Sequence, residues 1–265
     1  MRRLGAPVGG LYALGLLLAI GCATSREARQ GDTYMAKKRL CRELIAREDW
    51  TSAFFYADEL HRLDPKDPEV LVLRGTIFRE RGLPAEAQTD LEEALGLDER
   101  QAEAHAAIGI LLDTTSRGAE GEKHHQRAIA LVPNNPAFLN NLGFSLFLRG
   151  KTEESIEVYH RAVRLAPTSP RIRTNLGFAY AKAGDMTRAA REFDMGGTPA
   201  EAKNNLGFAY ERRGDLKNAF DLYLEALRLN PKSERVKANL GYVAKKLGRE
   251  IPEDVSAHAE KDTAE

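Results

Sequence analysis

The chain has little of several residue types that support common protein classes. Cysteine occurs only twice in 265 residues, as Cys22 and Cys41, which is too few for a disulfide framework. Aromatic residues make up only 7%, and the abundance of Ala, Leu, Glu and Arg favours helices over sheets. The 39 basic residues balance the 39 acidic ones, so charge gives no argument for nucleic acid as a partner. We expect an all-α protein that does not bind nucleic acid.

The sequence also lacks the patterns typical of catalytic and metal sites. Gly150-Lys151-Thr152 resembles the end of a phosphate-binding loop, but Ser145 stands where such a loop requires glycine. His124 and His125 are adjacent, and adjacent side chains on a helix point apart, so they do not form a ligand pair. No serine or cysteine has a recognisable nucleophile motif around it. We therefore predict no enzymatic activity, no cofactor and no metal site.

The first 22 residues have the pattern of an export signal. Arg2 and Arg3 precede an uncharged, Leu-rich run over residues 4–21, which is short for a spanning helix and contains five glycines. The run ends Leu18-Ala19-Ile20-Gly21-Cys22, which resembles the bacterial lipobox, although that motif usually has Leu at the position of Ala19. We predict a signal peptide over 1–21, a lipidated Cys22 and a linker over 22–33. A retained membrane anchor and ordinary secretion are the alternatives.

A lipid on Cys22 would fix the protein to a membrane. Several acyl chains at about 0.8 kcal/mol for each buried methylene make such anchoring effectively permanent. Residue 23 is Ala rather than Asp, which by resemblance to other lipoproteins implies the outer membrane of a diderm bacterium. The expected location is therefore the outer membrane, lipid-anchored and facing the periplasm.

A 34-residue period dominates the chain from Asp67 onward. A Leu-Gly or Ile-Gly pair is followed by a large residue three positions later, a second Gly after seven and then alanines, as in Leu206, Gly207, Tyr210, Gly214 and Ala219. This pattern resembles the tetratricopeptide repeat, which implies a solenoid of helical hairpins wound as a right-handed superhelix. The predicted repeats cover about 34–67, 68–101, 102–135, 136–169, 170–199 and 200–233, followed by a cap helix to 248 and a disordered charged tail over 249–265.

Stacking explains the residue types of the repeat, because one hairpin alone would expose its apolar face and neighbours bury it. Cys41 holds the first Gly position of repeat one, so we predict that it packs rather than reacts. Repeat five has lost four residues near Met195, which predicts a second helix about one turn short. The deletion is either neutral or creates a notch for a ligand. The segment Thr198-Pro199-Ala200-Glu201 predicts a capping box, and Asp67, Asn135 and Ser169 are predicted N-caps before proline.

The candidate binding residues are amides and aromatics that recur around the first Gly of the later repeats. In the repeat family these positions face or border the concave groove. There, amides can hydrogen-bond a peptide backbone, and aromatics offer flat apolar contact area. Alternatively, the amides tie repeats together and the aromatics pack internally. The predicted groove residues are Asn140, Asn141, Phe144, Asn175, Phe178, Asn204, Asn205, Phe208, Asn239 and Tyr242.

The combination of lipobox, short linker and six repeats resembles the outer-membrane lipoproteins of the PilF, PilW and Tgl group, which serve type IV pili, and their TadD relatives of Flp pili. The resemblance implies a scaffold that assists assembly of a secretin in the outer membrane, without turnover. The expected partner is a protein, a secretin subunit or another pilus component. A scaffold lipoprotein of another envelope machine, for secretion or gliding, is the alternative.

Overall fold

The computed structural model describes residues 31–115 and 117–252. All regular structure in these residues is helical, which confirms the all-α prediction. No helix in this part of the chain has the length and apolarity to cross a membrane. Cys22 and residues 253–265 lie outside it, so lipidation and the disordered tail stay predictions. The helices are α1 (31–46), α2 (Trp50–Leu63), α3 (Pro68–Glu80), α4 (Pro84–Leu97), α5 (Ala102–Asp113), α6 (Gly118–Leu131), α7 (Pro136–Leu148), α8 (Thr152–Leu165), α9 (Pro170–Ala183), α10 (Met186–Gly196), α11 (Pro199–Arg212), α12 (Leu216–Leu229) and α13 (Glu234–Leu247).

The helices form two compact units that meet in sequence within α5, between Ala107 and Ile108. The first unit holds α1 to α4, whose core joins α1, α2 and α3. The second holds α6 to α13, in which each helix packs against the next and α7, α9, α11 and α13 also contact one another in series. The first helices of successive repeats in this unit therefore lie side by side.

In five of the six hairpins, a glycine on the first helix faces a larger residue sixteen positions later. In the first hairpin the sizes are reversed, since Cys41 stands at the small position and Ala57 at the large one, both fully buried. The Cys41 Sγ donates to the Ala53 carbonyl at 3.5 Å, and burial raises the pKa of the thiol to about 11, so Cys41 packs as predicted. The other pairs are Gly75 with Leu91, Gly109 with His125, Gly143 with Tyr159, Gly177 with Phe193, and Gly207 with Tyr223.

Three of the four predicted helix caps form. Asp67 accepts from the backbone N–H groups of the first turn of α3, and Asn135 does the same for α7. Thr198 and Glu201 make the predicted capping box of α11. Ser169 is the N-cap residue of α9 as predicted, but its hydroxyl makes no capping bond. The helix still begins there because Pro170 fixes a helical φ and has no N–H to satisfy.

Repeat five is shortened at one end of its second helix. Helix α10 has 11 residues, whereas α8 and α12 have 14 each. Phe193 keeps its place against Gly177, so the missing residues fall after it, where Gly196 and Gly197 lead directly into α11. A Cβ on Gly196 would lie 2.9 Å from the Cβ of Arg173, which shows how closely the backbone approaches α9.

The chain makes packing contacts past the predicted boundary at 248, as far as residue 251. Arg249 lies over the Phe220 ring, 4.2 Å from its centroid, and pairs with Asp221 at 3.5 Å. Ile251 packs on the core between α12 and α13. These contacts hold the end of α13 against the preceding hairpin.

Candidate functional site

A groove made of three adjoining cavities runs across the first helices of the second unit. The cavities measure about 200, 470 and 870 Å³. Asn175 lines all three, Phe144 lines the first two, and Phe178 and Phe208 line the second and third, so the spaces are continuous. Tyr242 lines none of them. The predicted residues that line this groove are Asn140, Asn141, Phe144, Asn175, Phe178, Asn204, Asn205, Phe208 and Asn239.

Two of the amides tie neighbouring repeats together. The Asn175 Nδ2 donates to the Oδ1 of Asn140 at 2.8 Å, which joins α9 to α7. The Asn239 Nδ2 donates to the Oδ1 of Asn204 at 3.0 Å, which joins α13 to α11. Both acceptor residues, Asn140 and Asn204, are buried, so each bond satisfies a side-chain oxygen with little access to water. The packing interpretation of the amides therefore holds at these two links.

The other two amides of the series do not link one repeat to the next. Asn141 has no hydrogen-bond partner among the described residues, and Asn205 accepts only a long bond of 3.4 Å from Asn204. The α9–α11 link lacks the amide bond of its neighbours, because Thr174 holds the position of Asn140 and Asn204. Asn141 and Asn205 thus present donors and acceptors to the groove.

The aromatic residues form the apolar floor of the groove. Phe178 lies edge-on to Phe193 at 4.8 Å and to Phe208 at 5.9 Å, measured between ring centroids. Phe144 and Phe208 keep 43% and 40% of their surface exposed, which is high for large apolar side chains. Phe147, which the sequence analysis did not identify, also lines the middle cavity.

Five cationic side chains also line the two larger cavities, and sequence reasoning missed them. Lys182 donates to the Phe147 carbonyl at 2.7 Å and Arg213 to the Ala181 carbonyl at 3.4 Å, so both are held at helix ends. The other three have no carboxylate within ion-pair distance in the described part of the chain. The five residues are Arg171, Lys182, Arg212, Arg213 and Arg235.

The positions of these cations relative to the repeat glycines could have revealed them. Arg171 and Arg235 stand six residues before Gly177 and Gly241, and Glu201 holds the same position before Gly207. Lys182 and Arg212 stand five residues after Gly177 and Gly207. Positions in register on successive helices share one face of the stack, so they meet at one groove.

Glu201 lines the 870 Å³ cavity, and the lining of the 470 Å³ cavity contains no acidic residue. Its carboxylate accepts from the backbone N–H and the hydroxyl of Thr198 at 2.8 and 2.9 Å. These hydrogen bonds, helped by the charge of Arg235, lower the pKa of Glu201, so it remains an anion engaged in the cap.

His125 belongs to a buried polar cluster that joins three helices. Its Nε2 lies 2.9 Å from an Asp113 carboxylate oxygen, and the Ser145 hydroxyl donates to the other oxygen at 2.6 Å. Because the carboxylate separates them, the imidazole is not placed to take the serine proton, as a catalytic triad requires. The described residues contain no group of three candidate metal ligands. The Gly150-Lys151-Thr152 segment lies in the α7–α8 turn, where the Lys151 ammonium pairs with Glu122.

Comparison with known proteins identifies the repeat. Models of the tetratricopeptide repeat match residues 72–136, 145–184 and 200–233. The type IV pilus assembly protein PilF of Pseudomonas aeruginosa is 29% identical over 79 residues, which cover 30% of this chain. The match spans only 31% of the length of that relative.

Solved structures show the same fold. PilW, described as a widely conserved type IV pilus biogenesis factor, superposes with a TM-score of 0.66 at 19% identity, covering 78% of this chain and 98% of PilW. P. aeruginosa PilF superposes with a TM-score of 0.61 at 18% identity, covering 82% of this chain and 98% of PilF. A tetratricopeptide repeat protein from Parabacteroides merdae superposes with a TM-score of 0.59 at 15% identity, covering 84% of this chain and 89% of that protein. The solenoid prediction is confirmed, and this chain is a tetratricopeptide-repeat protein.

Proposed function

We propose that the protein is a scaffold that binds an extended segment of another protein in its groove, within the machinery that assembles a pilus. The observation that carries this proposal is the juxtaposition of two amides that make no link between repeats, Asn141 and Asn205, with the exposed rings of Phe144 and Phe208 along one continuous groove. The likeness to PilF and PilW supports the choice of pilus assembly.

The chemistry needed is binding alone. An extended segment presents backbone N–H and C=O groups on both sides, and an amide side chain offers a donor and an acceptor to match them. Apolar side chains of the segment would cover Phe178 and Phe208 and remove their surface from water. Rigid aromatic rings make this contact at a low cost in side-chain entropy.

The finer proposal is that the protein acts as a pilotin, a lipoprotein that escorts secretin subunits to the outer membrane. Lipidation of Cys22 would confine the groove and its cargo to two dimensions, which raises the effective concentration of subunits. The rival is a scaffold for another envelope machine, for secretion or gliding. The two differ in the protein that the groove captures.

In-cell crosslinking tests the groove and names the partner. The wild-type chain is compared with the variant Asn205→Ala/Phe208→Ala and with a matched control, Asn134→Ala/Phe55→Ala, whose residues are exposed and line none of the three cavities. We expect the wild type and the control to capture a secretin and the folded groove variant to lose it. Capture of a different envelope protein would favour the rival scaffold, and capture that is indifferent to the groove variant would reject the groove.

Anchoring needs a separate test. Metabolic labelling with a palmitate analogue should mark the wild-type chain, and Cys22→Ser should abolish the label and release the protein from the outer-membrane fraction. A labelled Cys22→Ser variant, or an unlabelled wild type, would reject lipidation at this residue.

A further inference from the structure

The positive charge of the groove is a local property that the composition conceals. The chain as a whole carries no net charge. Five cations and one carboxylate nevertheless line the two larger cavities, and that carboxylate is engaged by Thr198. Taken together, these two cavities are therefore basic.

The largest cavity opens where repeat five is short. Helix α10 ends three residues early, and the amide bond that joins first helices on either side is missing between α9 and α11. Arg171 in the first turn of α9 and Arg235 in the first turn of α13 both line this 870 Å³ space, together with Asn205, whose side-chain Nδ2 donates no hydrogen bond among the described residues. We call this cavity the notch.

Apolar surface continues out of the notch into the middle cavity. Phe178 and Phe208 line both spaces, and Arg212 lines the middle one. A peptide that crosses from the notch to the middle cavity would meet the arginines of the notch first, then the rings of Phe178 and Phe208, and then Arg212.

We propose that the groove selects an acidic segment of its protein partner, with an apolar side chain over Phe178 and Phe208 and a carboxylate in the notch that Arg171 and Arg235 line. A second carboxylate of the segment pairs with Arg212. The inference rests on the proposed function, since it names the chemistry of the segment that the groove binds.

Charge complementarity carries this assignment. Guanidinium groups match carboxylates with paired, charge-assisted hydrogen bonds, and the Asn205 amide adds a donor at the same place. Complementary charge mainly selects the partner and speeds its association. Because the cations line cavities rather than a flat face, they fit side chains of a bound peptide better than the surface of an anionic membrane.

Selection from a random octapeptide library on the purified full-length chain tests the inference. The peptides retained should be enriched in Asp and Glu next to aromatic or aliphatic residues. Synthetic copies of the most enriched peptide, labelled with fluorescein, should bind Arg171→Gln/Arg235→Gln about tenfold more weakly than wild type at low salt, with the difference shrinking as salt rises. The matched control, Arg127→Gln/Arg164→Gln, changes two exposed arginines on second helices and should bind like wild type.

The outcomes separate the inference from the proposed function. Enrichment of neutral or basic peptides, or equal binding by the notch variant, would overturn the acidic selectivity and leave the peptide groove standing. No enrichment at all would overturn both. Failure with peptides combined with arginine-dependent binding to phosphatidylglycerol vesicles would replace both with recognition of an anionic lipid surface.

Discussion

A Cβ atom built on Gly143 would lie 2.7 Å from Cε1 of Tyr159, sixteen residues later in the same hairpin. Tyr159 is almost completely buried, so its ring has no free space into which to retreat. Gly241 is the counterpart of Gly143 on α13, and a Cβ there would meet no atom within 4 Å in the described part of the chain. The same motif residue thus has a packing role in one helix and none in the other.

Adding one methyl group at each glycine should therefore have opposite effects. Gly143→Ala forces α7 and α8 apart and should lower the free energy of unfolding by about 1–3 kcal/mol. Gly241→Ala only improves helix propensity and should raise it by up to about 1 kcal/mol. Urea denaturation followed by circular dichroism measures both. Equal effects would mean that the glycine–aromatic contact does not limit how closely the helices pack.

The amide series should separate into stabilising and binding members. Asn175→Ala leaves the buried Oδ1 of Asn140 without its donor, and Asn239→Ala does the same to Asn204, so each should cost about 1–2 kcal/mol of stability. Asn205→Ala removes no strong bond and should change stability by less than about 0.5 kcal/mol while weakening peptide binding. Thermal unfolding and peptide titration of the three variants decide this. A destabilised Asn205→Ala with unchanged binding would contradict the division.

The Arg74–Asp90 ion pair should reveal the cost of an unpaired buried charge. Arg74 makes two 2.9 Å bonds to the Asp90 carboxylate, whose pKa burial raises in spite of the guanidinium. Arg74→Met leaves that carboxylate buried without its cation and should lower the free energy of unfolding by about 3 kcal/mol near neutral pH. Because the pKa of Asp90 is raised in the folded state, the cost of burying its charge is lost as pH falls through that pKa. The stability difference between Arg74→Met and wild type should therefore shrink towards about pH 4. The double variant Arg74→Met/Asp90→Leu, measured by urea denaturation, should recover most of the loss at every pH. A deficit that is independent of pH would point to lost packing instead.

Acid should weaken the first unit through Asp67. This residue caps α3 and accepts bonds from Tyr34 and Lys38 of α1, at 2.8 and 2.9 Å. Burial opposes the charge, yet the bonds from Lys38 and Tyr34 prevail and lower the pKa of Asp67. The stabilisation is therefore present above the unfolded value of about 4 and is lost as pH falls through the lower folded value. Asp67→Asn should melt below wild type at pH 7 and approach it near pH 3, and parallel curves for the two proteins would contradict the assignment.

The sequence predicted the hairpin stack because its determinants repeat at fixed spacing. Gly177 and Gly207, with the large residues that pack against them, follow the arrangement that recurs in five of the six hairpins. The division of the amides was not predictable, since it depends on whether position 174 carries Asn or Thr and on how α10 ends. The cations of the notch were missed because no repeat consensus requires charge at those positions. They become visible only when successive helices are aligned on their glycines.

The first hairpin has its larger residue, Cys41, on the first helix and Ala57 on the second, whereas the fourth hairpin has Gly143 on the first helix and Tyr159 on the second. This difference limits how such an array can be shuffled by recombination. A crossover in the turn between the two helices of a hairpin would combine the thiol of one with the phenol ring of the other in a space that holds only one of them. A crossover between hairpins keeps each matched pair intact. Whole hairpins, rather than single helices, are therefore the units that can be duplicated, deleted or grafted while the fold survives.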